Sequence, residues 1–233
     1  AAGPRALKYG STRENVLGLI AVTGNGDEIH TGTYTTKGVV GYDLTRLLIG
    51  SEGTLAIVTQ ATIRLTPLPE SRRTLQAVYD SVRAAAAAVS RLMAQPVTPC
   101  ALEFMDAAAI EMIRNYSRVE LPQGAGALLM IELDGPEAAM ETAMATISAA
   151  AHGEGLLSLA AAKTKDEAAA LWATRKALSP ALRNIAPNKL NEDVVVPVSR
   201  IPELIGGLEQ LSREFAIPIV NFGHAGNGNI HVN

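Results

Sequence analysis

Two histidines seven residues apart, His224 and His231, lie in Asn221-Phe-Gly-His-Ala-Gly-Asn-Gly-Asn-Ile-His-Val-Asn233, and they are two of only four in the sequence. If Ile217–Phe222 is a strand and Gly226 and Gly228 let the chain reverse, the two imidazoles converge. Neutral imidazoles suit a divalent zinc, iron or manganese ion. A catalytic zinc site takes three protein ligands and an open position, and this segment offers two. On spacing alone, a polar glycine-rich turn whose histidines only hydrogen-bond is the more economical reading.

Arg175, Ser179 and Lys189 form a second candidate group. Arg175 and Ser179 are four residues apart and share a helix face. A guanidinium fork with a hydroxyl and an ammonium nearby would hold a carboxylate. A solvated helix face explains the same spacing. Gly50-Ser-Glu-Gly-Thr-Leu55 is a turn whose backbone N–H groups could meet a cofactor's polar atoms. It matches neither GxGxxG nor a Walker loop, so no nucleotide fingerprint applies. Ala2-Gly3-Pro4 and Gly10-Ser11 allow the same close backbone approach. His30 and His152 read as structural or solvated, and Cys100 as a small core residue.

These residues need elements to carry them. Val16–Val22 and Glu28–Thr33 read as strands joined through an Asn25-Gly26 turn. Asp43 caps a helix over Leu44–Ile49, and Thr54–Leu65 alternates as a strand. Pro67 and Pro69 mark a boundary, giving domains 1–69 and 70–233. Beyond it, strands are predicted at Leu75–Tyr79, Pro99–Met105, Ala127–Leu133, Leu156–Ala161, Val194–Val196 and Ile217–Phe222. Helices open at Ser81, Ala107, Pro136, Thr164 and Pro202. Pro180 should kink or divide the helix that runs to Leu182. Strands and helices alternate, which gives an α/β or α+β class.

Composition bounds the function. The 233 residues are 48% apolar and 18% charged, enough to bury a substantial core. The net charge of -3 and the absence of a basic stripe argue against nucleic acid or an anionic membrane surface as partner. Aromatics at 4% are too few for base-stacking platforms. One cysteine cannot form an internal disulfide, which fits a reducing compartment. No run approaches the roughly 20 apolar residues of a spanning helix, and no signal peptide is visible. The chain opens at Ala1 and stops just after a histidine motif, so it reads as an excised fragment.

Four segments together carry a family resemblance. Gly41-Tyr-Asp-Leu-Thr-Arg-Leu-Leu-Ile-Gly-Ser-Glu-Gly-Thr-Leu-Ala-Ile-Val-Thr59 resembles the signature of the vanillyl-alcohol-oxidase-type FAD-binding domain. Gly3-Pro-Arg-Ala-Leu-Lys-Tyr-Gly10 resembles the FAD-contacting turn upstream of it. Asn191-Glu-Asp-Val-Val-Val-Pro197 and Gly223-His-Ala-Gly-Asn-Gly-Asn-Ile-His231 resemble the FAD-linked oxidase C-terminal domain. The branch they resemble contains D-lactate, glycolate and D-2-hydroxyglutarate dehydrogenases.

The resemblance implies an α+β chain: the end of an FAD-binding domain, then a ferredoxin-like substrate domain. It implies hydride transfer from C2 of a D-2-hydroxyacid to the flavin, which carries the redox step. Gly3, Gly10, Ser11, Gly50, Glu52, Gly53 and Ile57 are then expected to contact FAD. His224 and His231 would bind a divalent metal, and Arg175, Ser179, Lys189 and Asn233 the substrate. The family's catalytic histidine and a glutamate ligand fall beyond Asn233. Asn227 stands where the family has aspartate, so a charge next to the ligands is missing. The resemblance also implies a cytoplasmic protein, at most peripheral to the inner membrane, with a homodimer allowed and the electron acceptor open. A piece of this extent should bind FAD poorly and turn over nothing. A flavin-free metal hydrolase built on His224 and His231 is the rival reading, and a non-catalytic binding module is another.

Overall fold

Several of the helices begin where a side chain satisfies the first free N–H groups. Ser11 and Glu14 exchange the reciprocal bonds of a capping box, Asp43 accepts from Arg46 N, Ser81 from Ala84 N, and Thr164 from Glu167 N. The computed structural model describes residues 3–116, 121–183 and 188–233; Ala2 of the predicted turn lies outside them. The chain divides into two compact units, Ala1–Leu68 and Pro69–Asn233.

Unit 1 contains two one-turn helices, α1 (Ala6–Tyr9) and α2 (Thr12–Asn15), then β1 (Val16–Thr23), β2 (Glu28–Gly32), α3 (Leu44–Leu48) and β3 (Ala56–Ile63). The strands form an antiparallel sheet in the order β2-β1-β3. Gly26, at a φ of 86°, makes the turn between β1 and β2. A small core of Leu19, Ala21, Leu48 and Ala56 lies beneath it. The sequence pattern does not show α1 or α2, because a single turn has no apolar periodicity.

Unit 2 runs β4 (Ser71–Tyr79), α4 (Val82–Ala94), β5 (Ala101–Asp106), α5 (Ala107–Tyr116), β6 (Ala127–Gly135), α6 (Glu137–Ala151) and β7 (Leu156–Ala161). It continues through α7 (Lys165–Leu182), β8 (Glu192–Val195), α8 (Ile201–Phe215), β9 (Asn221–His224) and β10 (Asn229–Val232). Seven strands form one sheet in the order β7-β4-β6-β5-β9-β10-β8, with antiparallel neighbours throughout. Its first half is a ferredoxin-like split βαβ: α4 and α6 cross over β6 and β4 respectively. The strands β9, β10 and β8 extend this sheet past β5.

Both faces of the sheet are covered. Every residue of β5 is buried, as are the first eight of β6. Val78, Met105, Leu128, Met130 and Phe222 pack with Ile110 of α5 and Leu178 of α7 on one face. Alternation sends Leu75, Tyr79, Phe104 and Ile131 to the other, where Tyr79 Oη donates to Ala151 O at the end of α6.

Two sequence expectations change. Pro180 does not divide α7, which runs unbroken to Leu182. The proline falls in the last turn, where the one intrahelical N–H bond it removes, to the carbonyl of Lys176, is lost with only two helical residues left to run. The strand expected at Ile217–Phe222 is β9, Asn221–His224, so His224 belongs to it, and a further strand, β10, follows the turn.

Candidate functional site

The hairpin β9–β10 carries the two histidines. Gly228 turns it at a φ of 69°, and a Cβ at this position would overlap the Val196 carbonyl oxygen. Register then fixes which side chains are neighbours. Glu103 on β5 stands opposite His224 on β9. Phe222, His231 and Asp193 stand opposite one another on β9, β10 and β8. Residues 222 and 224 share a sheet face, so all five side chains project to the side that α7 covers.

There they meet Arg175. The Glu103 carboxylate takes His224 Nδ1 at 2.5 Å on one oxygen and Arg175 Nη2 at 2.8 Å on the other. The guanidinium carbon of Arg175 lies 4.6 Å from the Phe222 ring centre, a cation–π contact. Phe222 meets the His231 ring edge-on at 5.9 Å, and the rings of His231 and His224 are 5.1 Å apart at 86°. Glu103, Arg175, Phe222, His231 and His224 thus close a circle of contacts. Asp193 joins it from outside through His231 Nδ1.

Burial makes the circle strongly coupled. The Glu103 side chain is 2% exposed and that of Arg175 is 10% exposed. A carboxylate that far from water is tolerable because both of its oxygens have charged or N–H partners. An ionised carboxylate can only accept, so Nδ1 of each histidine carries the hydrogen. In the neutral rings the free lone pairs are therefore on Nε2. Arg175 Nε and Asn233 Oδ1 are buried and have no hydrogen-bond partner among the described residues.

The sequence-predicted residues fall into separate groups. His224, His231 and Arg175 come together. Ser179 is exposed and its Oγ accepts from Lys189 Nζ at 3.3 Å. Lys189 and Asn233 line a largely apolar cleft of about 430 Å³ with Leu190, Ile217 and Val232. Asn233 also donates through Nδ2 to the carbonyls of Val220 and His231. Glu103 and Asp193 were not among the candidates. A charged residue inside the apolar run Pro99–Met105 is the signal that points to Glu103. Asp193 has only its place beside Glu192 in a polar stretch.

In unit 1 the predicted cofactor contacts lie mostly in turns. Gly3, Gly10, Gly50 and Gly53 have φ between 61° and 88°, and Glu52 joins them at 52°. Ser11 is engaged locally: its N–H and Oγ both donate to Glu14 Oε2, at 2.7 and 2.6 Å. Ile57 is 68% exposed on β3. A cleft of about 370 Å³ on this unit is lined by others, among them Arg13, Arg46 and Arg64. The seven residues offer open backbone and apolar surface but no enclosure, which suits one wall of an FAD site.

For a metal, the donor chemistry fits as a pair. Two imidazoles held at Nδ1 by carboxylates have Nε2 available, the arrangement that orients histidine ligands. Among the described residues no group of three or more His, Cys, Asp or Glu side chains could hold an ion.

Residues 68–233 match the family of FAD linked oxidases, C-terminal domain. The chain belongs to this FAD-linked oxidase family. The Bacillus subtilis (strain 168) glycolate oxidase subunit GlcD is 43% identical over 229 residues, spanning 98% of this chain and 49% of that protein. The Archaeoglobus fulgidus D-lactate dehydrogenase is 36% identical over 99% of this chain and 51% of its own length. The Xanthomonas citri pv. viticola D-2-hydroxyglutarate dehydrogenase is 31% identical over 100% and 50%. The chain thus spans about half the length of the curated relatives it matches. Among solved structures, p-cresol methylhydroxylase with substrate bound superimposes with a TM-score of 0.73 at 12% identity, over 96% of this chain and 51% of that one. This last likeness concerns the fold alone. Membership in an FAD-linked oxidase family does not favour a flavin-free hydrolase or a binding module. Among the described residues, no helix is long and apolar enough to cross a membrane.

Proposed function

We propose that this chain is the substrate-binding half of an FAD-linked oxidoreductase of D-2-hydroxyacids. The observation that carries the reading is the buried circle of Glu103, Arg175 and the two histidines, in a domain of the FAD-linked oxidase family. Relatives named for glycolate, D-lactate and D-2-hydroxyglutarate support a substrate of the short 2-hydroxyacid class.

Bound FAD would accept the hydride from C2 of the acid while a base takes the hydroxyl proton, leaving the 2-oxoacid. The exposed turns at Gly3, Gly10, Ser11 and Gly50–Gly53, with Ile57, supply part of its site. The rest of that site comes from sequence outside this chain, as the length of the relatives suggests. Arg175 holds the substrate carboxylate through the edge that Glu103 leaves free, including the unpartnered Nε. Ser179, Lys189 and Asn233 line the approach. His224 and His231 present Nε2 to a zinc, iron or manganese ion, which would lower the pKa of the substrate hydroxyl. A third protein ligand must join them.

The test uses the full-length parent protein. D-Lactate, glycolate and D-2-hydroxyglutarate are supplied with an artificial electron acceptor, before and after chelation. Reduction of the acceptor by at least one of the three acids, with L-lactate and L-2-hydroxyglutarate inert, is the expected result. A flavin-free preparation that reduces nothing sinks the reading.

A further inference from the structure

The position of Glu103 asks for an explanation that packing does not provide. With Asp106 it is one of two charged residues in a strand buried at every position, where an apolar side chain would be cheaper. Its two oxygens serve two different groups, His224 and Arg175. It has no place among the residues proposed above to touch substrate or metal.

We propose that Glu103 is the positioning residue of this site: one carboxylate fixes both the tautomer of His224 and the plane of the Arg175 guanidinium. The inference rests on the functional reading above. The physical content is a donor–acceptor count. Arg175 Nη2 can only donate, and a carboxylate can only accept. With both oxygens accepting, Nδ1 of His224 must be the protonated nitrogen, and Nε2 keeps its lone pair. Arg175 meanwhile is held at two points, by Glu103 Oε2 and by the face of Phe222. Its remaining N–H groups, including the buried unpartnered Nε, therefore point in a fixed direction.

A glutamine of the same size breaks this logic in a specific way. Its single oxygen goes to the stronger partner, the guanidinium. Its NH2 then faces His224 Nδ1, which must turn from donor to acceptor. The ring proton moves to Nε2, and the lone pair offered to a metal is lost. An aspartate is shorter and leaves a gap, but it remains acceptor-only and keeps the tautomer.

The experiment uses the full-length parent protein, stripped of metal, and titrates Mn²⁺ and Zn²⁺ against a chromophoric chelator. Melting temperature and the split of kcat and KM for the best D-2-hydroxyacid are recorded on the same samples. Glu103→Gln is expected to bind metal roughly 10- to 100-fold more weakly. Glu103→Asp should bind within severalfold of wild type, although its melting temperature falls at least as far. Arg175 keeps its acceptor in Glu103→Gln, so that variant should lose mainly kcat, whereas the shorter aspartate withdraws from Arg175 and should mainly raise KM. Wild-type metal uptake with equal affinity in Glu103→Gln overturns the Glu103 proposal alone. So does an aspartate variant that loses as much affinity as the glutamine one, since that is the mark of a packing role. If Glu103→Gln does not fold, an aspartate variant whose metal affinity falls more than about tenfold overturns the proposal, and one that stays within severalfold of wild type supports it. Wild-type protein that neither takes up metal nor turns over a D-acid overturns the functional reading as well.

Discussion

The two units treat polar groups in opposite ways. In unit 2, Glu103, Asp106, Glu132, Asp134, Arg175 and Asn221 are buried within a seven-stranded sheet with helices on both faces. In unit 1 the buried polar side chains, among the described residues, reduce to Thr45. Unit 1 instead exposes apolar groups: Val40, Tyr42, Ile57 and Leu65 are each more than two-thirds exposed. An exposed apolar surface of that kind marks a place where something else packs. Buried charge needs a core thick enough to exclude water from all sides, and a three-stranded sheet over four buried side chains cannot provide one. Unit 1 can supply backbone turns and apolar surface; unit 2 can supply aligned charge.

Core truncation tests this contrast most strongly. Ile131→Ala, in the fully covered strand β6, should cost about 4 kcal/mol by urea denaturation, since its surroundings cannot collapse into the gap. Leu19→Ala, in the small core of unit 1, should cost nearer ~2 kcal/mol because its neighbours can relax. Native-state hydrogen exchange should show β1 amides opening before those of β6. The reverse order would mean that unit 1 has the firmer interior.

A smaller effect comes from Asp106. Burial pushes its carboxyl up from 3.8 to about 6, against the pull of hydrogen bonds from Ala109 N and from Asn221 N and Nδ2. Between those values the folded protein holds a proton that the unfolded chain has released. The stabilisation from this group is therefore fully present below 3.8 and is lost as pH rises through about 6, at most about 3 kcal/mol. Asp106→Asn should flatten that part of the curve in urea midpoints measured from acidic to neutral pH. Parallel curves for variant and wild type would show that the site is wetter than its burial implies.

Helix caps should give the smallest and most even response. Thr164→Ala in unit 2 and Asp43→Ala in unit 1 each remove one side-chain acceptor at a helix start. Each should cost about 1 kcal/mol, because capping depends on local geometry and not on the thickness of the core. Thermal melts of the two variants check this. A cap effect several times larger in one unit would show that the helix there does more than start a turn.

Local chemistry was the most legible part of the sequence. Ser81, Thr164 and Asp43 cap the helices they were expected to cap, and Leu156–Ala161 is a strand with the expected bounds. What failed had non-local causes. The strand expected at Ile217–Phe222 begins at Asn221, because β9 pairs only where β5 and β10 reach it. That shift is what sets His224 opposite Glu103. Arg175 pairs with Glu103 while Ser179 pairs with Lys189, and neither partner was legible, since helical spacing shows a shared face but not what packs on it. Glu103 and Asp193 are separated from their histidines by 121 and 38 positions, and only strand register brings them together.

Asp106 also joins two distant beginnings. One of its oxygens receives the N–H of Ala109 in the first turn of α5, and the other receives two N–H groups from Asn221, the first residue of β9. A helix start and a strand start thus hang from the same carboxyl group, three residues along β5 from Glu103. The distance between the histidine-bearing strand and its orienting glutamate is accordingly set like a ruler with a fixed zero. Changes far along α5, provided they leave its first turn intact, should not move the scale.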